Sequence, residues 1–389
     1  MGRRILLTVC LVLPACAAAA HAAAKQPAAW AAPSIRAVTA AGLLGAGNVS
    51  SFRATDPLTA QALADLVFDL QQRLAPPPEE VDPAPPATVT GPTVTTPVTT
   101  TVGTTTVGTT TATTTTTAAP AAPKPVASPG RPVAMWELDA RLVGALGLSD
   151  AASTFAKSAR AAGLAVPSRF GTEVVARLLG LRLNHPASED SLELRPQDTA
   201  TRAEAAYSAA QILQLSDWQV QSVESAAATF SLPSLSAWQT RILDTAVSKI
   251  GMPYIWGGAS DDAEAPFGVP SRGGYDCSGF VWRVYKLQWY PGEGSLASTL
   301  RGRTTYAMSG EVPASKRISY ANLQPADVIF FGDRGPRSKP AQVGHMGIYL
   351  GNGWFIHSSG YGVALAQLSG WYRSEFAWGR RPLAEAGLA

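Results

Sequence analysis

VGHMGIYLGNGWFIHSSG, residues 343–360, holds two strand-like apolar runs on either side of a glycine-rich turn. Alternation of apolar with small or polar residues favours β-strands, and glycines around an asparagine favour a hairpin turn. We predict a three-residue turn over 351–353, with Leu350 paired to Trp354. This pairing sends the apolar side chains of both strands to one face, as a core requires.

The predicted register also brings two histidines together. His345 and His357 lie on the other face of the hairpin, on a diagonal with Gly347 between them. A two-residue turn would separate them, because a one-residue slip moves every side chain to the opposite side of a sheet. A lone strand histidine is usually structural, whereas two on one face indicate a functional site.

The segments around the hairpin predict an α+β domain. Residues 237–251 and 277–287 have helical periodicity, and DVIFFGD at 327–333 reads as a strand. Helices combined with an antiparallel meander give this fold class. A segment of about 150 residues is also long enough to form its own hydrophobic core. We therefore predict a separate domain over residues 236–389.

GGYDCSGFVW, residues 273–282, contains Cys277, the one cysteine beyond the first sixteen residues. The glycines permit a tight turn, and an apolar stripe that runs to Leu287 predicts a helix beginning at the cysteine. A helix start favours the thiolate, so we expect the pKa of this thiol to be lowered by one or more units from about 8.5. A structural buried cysteine is the alternative.

A thiol with two convergent histidines indicates nucleophilic catalysis. Cys277 is the candidate nucleophile, and His345 and His357 supply a base and an orienting partner. Zinc is the competing use of the same three residues, but metal sites usually contain local pairs such as C-x-x-C, and these residues are dispersed. We expect no metal and no cofactor.

The N-terminus has the features of an export signal over residues 1–24. Two arginines precede a short apolar core and an A-x-A site at 20–22, which predicts a secreted or cell-wall-associated protein. Lipidation of Cys16 after a cut at LPAC is the alternative. Removal of the signal would leave a chain without a transmembrane segment. That chain would contain one cysteine, so it could form no internal disulfide.

A Pro- and Thr-rich linker over residues 75–131 cannot form a core and is predicted to be disordered. The segments 30–74 and 132–232 flank it, and each contains a helix, a polar loop and a second helix. Thr201 and Glu204 have the spacing of a capping box, which predicts a helix start there. We therefore predict an all-α repeat region that the linker interrupts.

Charge gives little support to polyanionic partners. The formal net charge is +3, and no stretch concentrates basic residues with aromatics. We expect no nucleic-acid binding.

The helical segments resemble S-layer homology repeats, and TRAE at 201–204 is the phrase that carries the likeness. The resemblance implies helical repeats that dock onto a secondary cell-wall polymer, with Arg202 as the candidate ligand. Ala60 stands at the equivalent position of the first copy, so that site is degenerate. A spacer or inhibitory segment that binds no polymer is the alternative.

The phrases GMPYIWGG, YDCSGFV, LQPADVIFF and GHMGIYLGNGWFIHSS, in this order over residues 240–382, resemble the NlpC family of papain-like cell-wall cysteine peptidases. The resemblance implies a thiolate at Cys277, a general base and later acid at His345, and an orienting His357. It also implies peptidoglycan stem peptides as substrate, cut between D-glutamate and the following diamino acid through a thioester.

Three further residues match functional positions of that family. Tyr254 matches a tyrosine beside the nucleophile that helps stabilise the oxyanion. Asp276 and Ser278 match positions that bind a substrate amine in some relatives, and helix capping is the alternative for both.

Two other functions stay open at this stage. The same triad can transfer an acyl group to an amine or hydroxyl in place of water. The second open function is that of a wall-binding surface protein whose catalytic domain is inactive. The loop SDDAEAPFGVPSRGG at 260–274 is long enough to cover the site in such a protein.

Overall fold

The computed structural model describes residues 29–45, 48–75 and 125–389. The predicted signal peptide over 1–24, including Cys16, and most of the predicted linker over 75–131 lie outside the described residues. Within the described ranges, no helix has both the length and the apolar character needed to span a membrane.

The N-terminal part is helical, as predicted. Its helices are α1 (Ala32–Ala40), α2 (Ala60–Leu74), α3 (Met135–Ala145), α4 (Ser149–Ala161), α5 (Phe170–Leu178), α6 (Arg202–Ile212) and α7 (Asp217–Thr229).

Threonine caps set the starts of α2 and α6. The Thr59 hydroxyl accepts the N–H of Ala62 and the Thr201 hydroxyl accepts that of Glu204, both at 3.2 Å. These bonds satisfy donors that a helix start otherwise leaves free. The Thr201 half of the predicted capping box therefore forms, whereas the Glu204 side chain is buried among other charged groups.

The starts of α2, α3 and α6 are joined by isolated β-bridges. The bridges pair Pro57 with Thr201, Thr59 with Pro132, and Ala134 with Thr199. Segments on both sides of the interrupted stretch therefore belong to one helical assembly. Their relation as repeats, and S-layer homology itself, stay predictions.

The C-terminal part contains helices and an antiparallel sheet, which confirms the α+β class. Its helices are α8 (Ala237–Ser248), α9 (Cys277–Trp282), α10 (Leu296–Thr299), α11 (Thr305–Gly310), α12 (Gly370–Glu375) and α13 (Pro382–Glu385). Its strands are β1 (Ala259–Ser260), β2 (Gly274–Tyr275), β3 (Val328–Gly332), β4 (Val343–Gly351), β5 (Trp354–Ser359), β6 (Gly362–Gln367) and β7 (Phe376–Arg380). The main sheet has the antiparallel order β6-β5-β4-β3-β7, and β1 pairs with β2 apart from it.

The β4–β5 hairpin keeps the predicted register through a different turn. Ile348 pairs with Ile356, as predicted, but the pairing shifts near the turn so that Gly351 faces Trp354. Asn352 is left as a turn residue at φ +49°, and the extra residue at the end of β4 forms a bulge. The prediction of a three-residue turn was therefore wrong. The bulge restores the register that a two-residue turn alone would have changed.

The two parts of the protein share a hydrophobic core. Phe155 and Phe230 of the helical part pack edge-to-face against Trp354 of β5 at centroid distances of 5.8 and 5.1 Å. The buried Arg177 of α5 donates to the carbonyl of Gly251 at 2.6 Å. Part of the apolar surface of residues 236–389 is therefore covered by α4 and the end of α7, whereas a second apolar cluster that includes Phe331 and Phe355 is formed by this segment alone. A separate domain over residues 236–389 stays a prediction.

Helix α9 begins at Cys277, as predicted, and continues as a π-helical turn over Arg283–Leu287. Of the predicted apolar stripe, Val284 and Tyr285 are buried but Leu287 is 49% exposed. Leu287 is the last residue of this turn, and the chain leaves the core immediately after it.

Candidate active site

Cys277 lies where α9 packs against β4. Its Sγ is 3.6 Å from the hydroxyl of Thr305, at the start of α11. Backbone N–H groups of Ser278 and Met346 also interact with the sulfur and stabilise its thiolate form. Met346 directly follows His345 in β4, so the helix start and the histidine strand meet at the thiol.

The resting thiol is protonated, which corrects the expectation of a lowered pKa. The side chain is 8% exposed, and this burial raises the pKa of Cys277 to about 11, with the neighbouring Asp276 carboxylate as the second cause. The Thr305 hydroxyl and two backbone N–H groups lower it by less. Loss of water around the sulfur raises the pKa of the thiol by more than the helix start lowers it.

The two histidines are in direct contact. His345 Nε2 and His357 Nδ1 are 2.7 Å apart, so one nitrogen donates and the other accepts. Gly347 lies beside this pair, since a Cβ there would come within 3.0 Å of the His357 Cβ. The contact occupies Nε2 of His345 and leaves Nδ1 as the nitrogen available to the thiol.

Aromatic rings enclose the histidine pair. Phe331 of β3 stacks on His345 at 5.6 Å between centroids, and Tyr372 of α12 packs edge-on against His357 at 5.3 Å. Burial lowers the pKa of His345 to about 4. Burial also lowers the pKa of His357 well below its ordinary value, with the neighbouring His345 as a second cause. Because the His345 side chain remains partly exposed, its protonated form can still be hydrated at one edge.

The resting site therefore contains a neutral thiol and a neutral imidazole. Transfer of a proton from Cys277 to His345 would create opposite charges, and their attraction would offset part of the cost of forming both charges in a largely buried site.

Tyr254 is electrostatically coupled to the nucleophile. Burial raises the pKa of Tyr254 well above its ordinary value, and electrostatic interaction with Cys277, when that is ionised, and with the carboxylates of Asp276 and Asp190 raises it further. The phenol therefore stays protonated and can donate a hydrogen bond. This is the state that the predicted oxyanion role requires.

Asp190 brings the helical part of the chain to this site. It lies in a 3₁₀ helix over Ala187–Leu192, is 2% exposed, and accepts the N–H of Trp256 at 3.2 Å. Burial, followed by the charge of Glu193, raises the pKa of Asp190 to about 6. Both parts of the protein therefore contribute groups to the surroundings of Tyr254.

Asp276 and Ser278 lie on either side of the nucleophile and are hydrogen-bonded to each other at 2.9 Å. Asp276 also accepts the N–H of Gly279 at 2.5 Å, which shows the helix-capping role that we considered as the alternative. Arg303 contacts both, at 3.2 Å to Asp276 and 2.7 Å to Ser278. A substrate amine would therefore meet groups that already have partners.

The loop over residues 260–274 reaches the edge of this network. Asp261 anchors it through Lys249 at 2.6 Å and through the hydroxyl of Tyr275. At its tip Phe267 is 81% exposed, and its ring lies against Gly257, where a Cβ would approach it to 2.5 Å. The loop thus adds an aromatic face beside Asp276, and cover over the thiol stays a prediction.

Two sequence predictions concern sites away from the nucleophile. Arg202 donates to the carbonyls of Phe52 and Leu44, each at 2.9 Å, and its guanidinium lies over the Phe52 ring. These contacts give it a structural role, and polymer binding stays a prediction. Within the described ranges, no group of three or more His, Cys, Asp or Glu side chains is arranged to hold a metal ion.

Comparison with protein families assigns the C-terminal part. The model of the NlpC/P60 family matches residues 251–381, a range that contains the cysteine, both histidines and Tyr254. The C-terminal part is an NlpC/P60 domain.

The chain spans less than two fifths of the length of the curated relatives that it matches. The chain is 34% identical over 123 residues to the probable peptidoglycan endopeptidase LytE of Bacillus subtilis, covering 32% of this chain and 28% of LytE. It is 32% identical over 123 residues to the murein DD-endopeptidase MepH of Escherichia coli, covering 31% of this chain and 37% of MepH. A crystal structure of an NlpC/P60 family protein from Bacillus cereus matches at 26% identity and a TM-score of 0.28, covering 39% of this chain and 42% of that one.

The NlpC/P60 domain contains site residues that the sequence reasoning missed. Thr305 and Arg303 contact the nucleophile or its neighbours, and Tyr372 packs on the histidines. Asp190 reaches the same site from outside the domain. Each is brought in by a long-range contact, and only the threonine cap at 304 marks the nearby start of α11 in sequence.

Proposed function

We propose that this protein is a secreted cysteine peptidase that hydrolyses stem peptides of peptidoglycan through a thioester on Cys277. The observation that carries the proposal is the 2.7 Å contact between His345 and His357 on the strand that meets the sole thiol of the described chain. A nucleophile, a base and an orienting group are the parts that acyl transfer needs.

The first step is attack of the sulfur on the scissile carbonyl carbon. The S–H proton moves to Nδ1 of His345 as the S–C bond forms, and the carbonyl oxygen becomes an oxyanion. The N–H of Cys277, free at the first turn of α9, and the hydroxyl of Tyr254 are the donors proposed to stabilise that oxygen.

The later steps of the proposed reaction return the proton and release the two products. Protonated His345 gives its proton to the leaving amine, the C–N bond breaks, and a thioester remains on Cys277. Neutral His345 then takes a proton from water, the hydroxide attacks the thioester, and the thiol is regenerated as the acid product leaves. No cofactor takes part in these steps.

His357 positions the base. With its Nδ1 unprotonated it accepts the Nε2–H of His345, which fixes the tautomer that leaves Nδ1 of His345 basic. Its depressed pKa keeps it neutral, so it accepts this bond over the working pH range.

The proposed bond lies between D-glutamate and the following diamino acid. The support is the resemblance to NlpC-type peptidases together with the match of residues 251–381 to that family. LytE is named only as a peptidoglycan endopeptidase, and MepH as a DD-endopeptidase, so the position of cleavage needs a direct assay.

The proposed location follows from the substrate. Peptidoglycan lies outside the membrane, and the signal-like segment over residues 1–24 provides for export. The helical repeats are proposed to hold the enzyme to a wall polymer, with Arg202 as the candidate ligand, or to act as a spacer or inhibitory segment.

The test uses residues 25–389 and a defined muropeptide of known sequence, with products identified by mass spectrometry. We expect cleavage after D-glutamate by the wild-type protein and none by the Cys277→Ser variant. Cleavage at another bond would overturn the proposed position. Absence of cleavage would favour a wall-binding protein, and adducts with an added amine would favour acyl transfer.

A further inference from the structure

The segment that carries Tyr254 is held by carboxylates that accept two consecutive backbone N–H groups. The N–H of Gly257 donates to Asp276 Oδ2 at 3.0 Å, which ties the segment to the residue before the nucleophile. The N–H of Trp256 donates to Asp190 Oδ2 at 3.2 Å. One of these two carboxylates therefore belongs to the NlpC/P60 domain, and the other belongs to the helical part.

Backbone bonds to β2 fix the residues on either side of Tyr254. The N–H of Ile255 donates to the carbonyl of Tyr275 at 3.2 Å, and the N–H of Tyr275 donates to the carbonyl of Pro253 at 3.1 Å. Beyond this pairing the Trp256 side chain is 55% exposed, so packing contributes little to the position of that residue. The position of the backbone at 256 therefore depends on its hydrogen bond to the helical part.

Asp190 lies in a loop over residues 185–193 that is closed at its base. Glu193 Oε1 lies 3.0 Å from His185 Nδ1 and also accepts the backbone N–H of His185. The Trp30 ring packs edge-on against His185 at 4.7 Å between centroids. Within the loop, the carbonyl of Asp190 accepts the N–H of Glu193 at 3.2 Å. These contacts hold the carboxylate of Asp190 in a defined place.

A second contact joins the same region to the loop over residues 260–274. Arg195 donates to the carbonyl of Asp261 at 3.3 Å and is itself held by Asp198 at 3.0 Å. The Asp261 side chain accepts the hydroxyl of Tyr275, two residues before the nucleophile. The helical part therefore contacts both chain segments that lead to the active site.

The buried state of Asp190 is costly for a group that has one donor. The residue is 2% exposed, and among the described residues the N–H of Trp256 is the sole donor to its side chain. Burial raises its pKa to about 6, so the side chain is ionised at neutral pH although its surroundings disfavour the charge. A carboxylate buried at this cost beside an active site is a candidate for a functional role.

We propose that Asp190 is a positioning residue of the active site, which acts through the N–H of Trp256 to hold the segment from which Tyr254 donates to the oxyanion. The helical part then contributes to catalysis, in addition to any role in wall binding. The inference rests on the proposed peptidase function and on the proposed oxyanion role of Tyr254.

The test measures cleavage of N-acetylmuramyl-L-alanyl-γ-D-glutamyl-diamino acid, the N-acetylmuramyl peptide, by residues 25–389. Asp190→Ala removes the acceptor, and kcat should fall by about 10- to 100-fold with little change in KM, since a misplacement of about 1 Å can cost that much in the transition state. Asp190→Asn keeps an acceptor oxygen and should stay within about threefold of the wild-type kcat. Equal losses in the two variants would assign the effect to charge and would overturn the positioning role.

Glu189→Ala is the matched control. It removes a carboxylate one position away from an exposed side chain, so kcat should be unchanged. An unchanged kcat in a folded Asp190→Ala variant would overturn the proposal, as would an equal loss in Glu189→Ala.

A double-mutant cycle tests whether Asp190 acts through Tyr254. Tyr254→Phe should lower kcat by about 100-fold or more, the loss typical of an oxyanion donor. Addition of Asp190→Ala should then cost less than about threefold, because the hydroxyl that it positions is already absent. A contact that is only structural would lower kcat by the same factor in both backgrounds, and that result would overturn the proposal.

Amide hydrogen exchange gives a measurement that does not depend on activity. The N–H of Trp256 should be protected in the wild-type protein and in Asp190→Asn. In Asp190→Ala it should exchange faster by about tenfold or more, as expected for loss of one hydrogen bond to a charged group. Rapid exchange in the wild-type protein would overturn the proposal even if Asp190→Ala fails to fold.

Failure of the proposed function gives a different result from failure of this inference. In the first case the wild-type protein does not cleave the peptide, and the inference falls with it. In the second case the wild-type protein and a folded Asp190→Ala variant cleave it at the same rate.

Discussion

Replacement of His357 by Asn, Gln and Ala should produce a graded loss of activity. The His357 Nδ1 lies 2.7 Å from Nε2 of His345, and we assign it the role of hydrogen-bond acceptor. The carbonyl oxygen of Asn occupies nearly the same position as Nδ1 of a histidine. That of Gln extends to the position of the distal ring nitrogen, and Ala provides no acceptor.

The size of the effect follows from the bond that is lost. During catalysis His345 becomes positively charged, and a hydrogen bond to a charged group contributes about 1.5–3 kcal/mol. Each 1.36 kcal/mol corresponds to a tenfold change in rate, so His357→Ala should lower kcat/KM by about 10- to 150-fold. His357→Asn should lose less than about tenfold, and Gln should lie between them.

The assay is steady-state cleavage of the N-acetylmuramyl peptide by each variant, with circular dichroism and thermal melting as controls for folding. His357 is 2% exposed, so all three variants should lose some stability. The orienting role requires the order Asn, Gln, Ala in activity at comparable folded fractions. Equal activity of the Asn and Ala variants would refute it.

Four other predictions concern the thiol, the base, the contact between the two parts, and the helical region. Cys277→Ala should abolish hydrolysis and lower the free energy of unfolding by about 1 kcal/mol, since the side chain is buried; residual activity with a large loss of stability in chemical denaturation would contradict this. Because burial lowers the pKa of His345 to about 4, the acid limb of the kcat/KM profile should lie below the ordinary histidine value of about 6.5, and a limb at 6.5 would contradict it. Arg177→Met should lower the free energy of unfolding by about 3–5 kcal/mol, because it leaves Glu173 buried without its partner and removes the bond to the Gly251 carbonyl in the other part; an unchanged denaturation midpoint would count against these contacts. Arg202→Ala should weaken co-sedimentation of the protein with isolated walls, and no binding by the wild-type protein would remove the anchoring hypothesis.

The hairpin register was predictable because local chemistry determines it. Apolar alternation requires Ile348 and Ile356 on the core face, which excludes one-residue slips, and the short glycine-rich turn selects the observed pairing among the rest. The turn was not predictable in the same way. A bulge at Gly351 absorbs one residue, and the sequence contains glycines on both sides of Asn352 that suit either solution.

The charge state of the nucleophile was not predictable from the helix start alone. The pattern around Cys277 located the first turn of α9, which the structure confirms. Burial under β4 and α11 depends on residues such as Met346 and Thr305, which are distant in sequence. Desolvation then exceeds the effect of the helix, so the direction of the pKa shift is reversed.

The polar contacts around Cys277 were also not fully predictable, because several of them join residues that are far apart in sequence. Asp276 has the spacing of a helix cap, so its capping role was among the sequence alternatives. Its ion pair with Arg303 joins residues 27 positions apart, and no periodicity or motif connects them. Asp190 lies in a segment that the sequence assigns to the helical region, and only the packing of that region on the catalytic part brings it to Trp256.

Capture of the thioester tests the central claim most directly. Residues 25–389 would be mixed with the N-acetylmuramyl peptide, quenched in acid within milliseconds to seconds, digested and analysed by mass spectrometry. The account predicts that the peptide containing Cys277 gains the mass of the acyl portion up to D-glutamate, that hydroxylamine removes this mass, and that Cys277→Ser lacks the adduct and the activity. Cleavage by the Cys277→Ser variant at the wild-type rate, or an acyl group on any other residue, would contradict it.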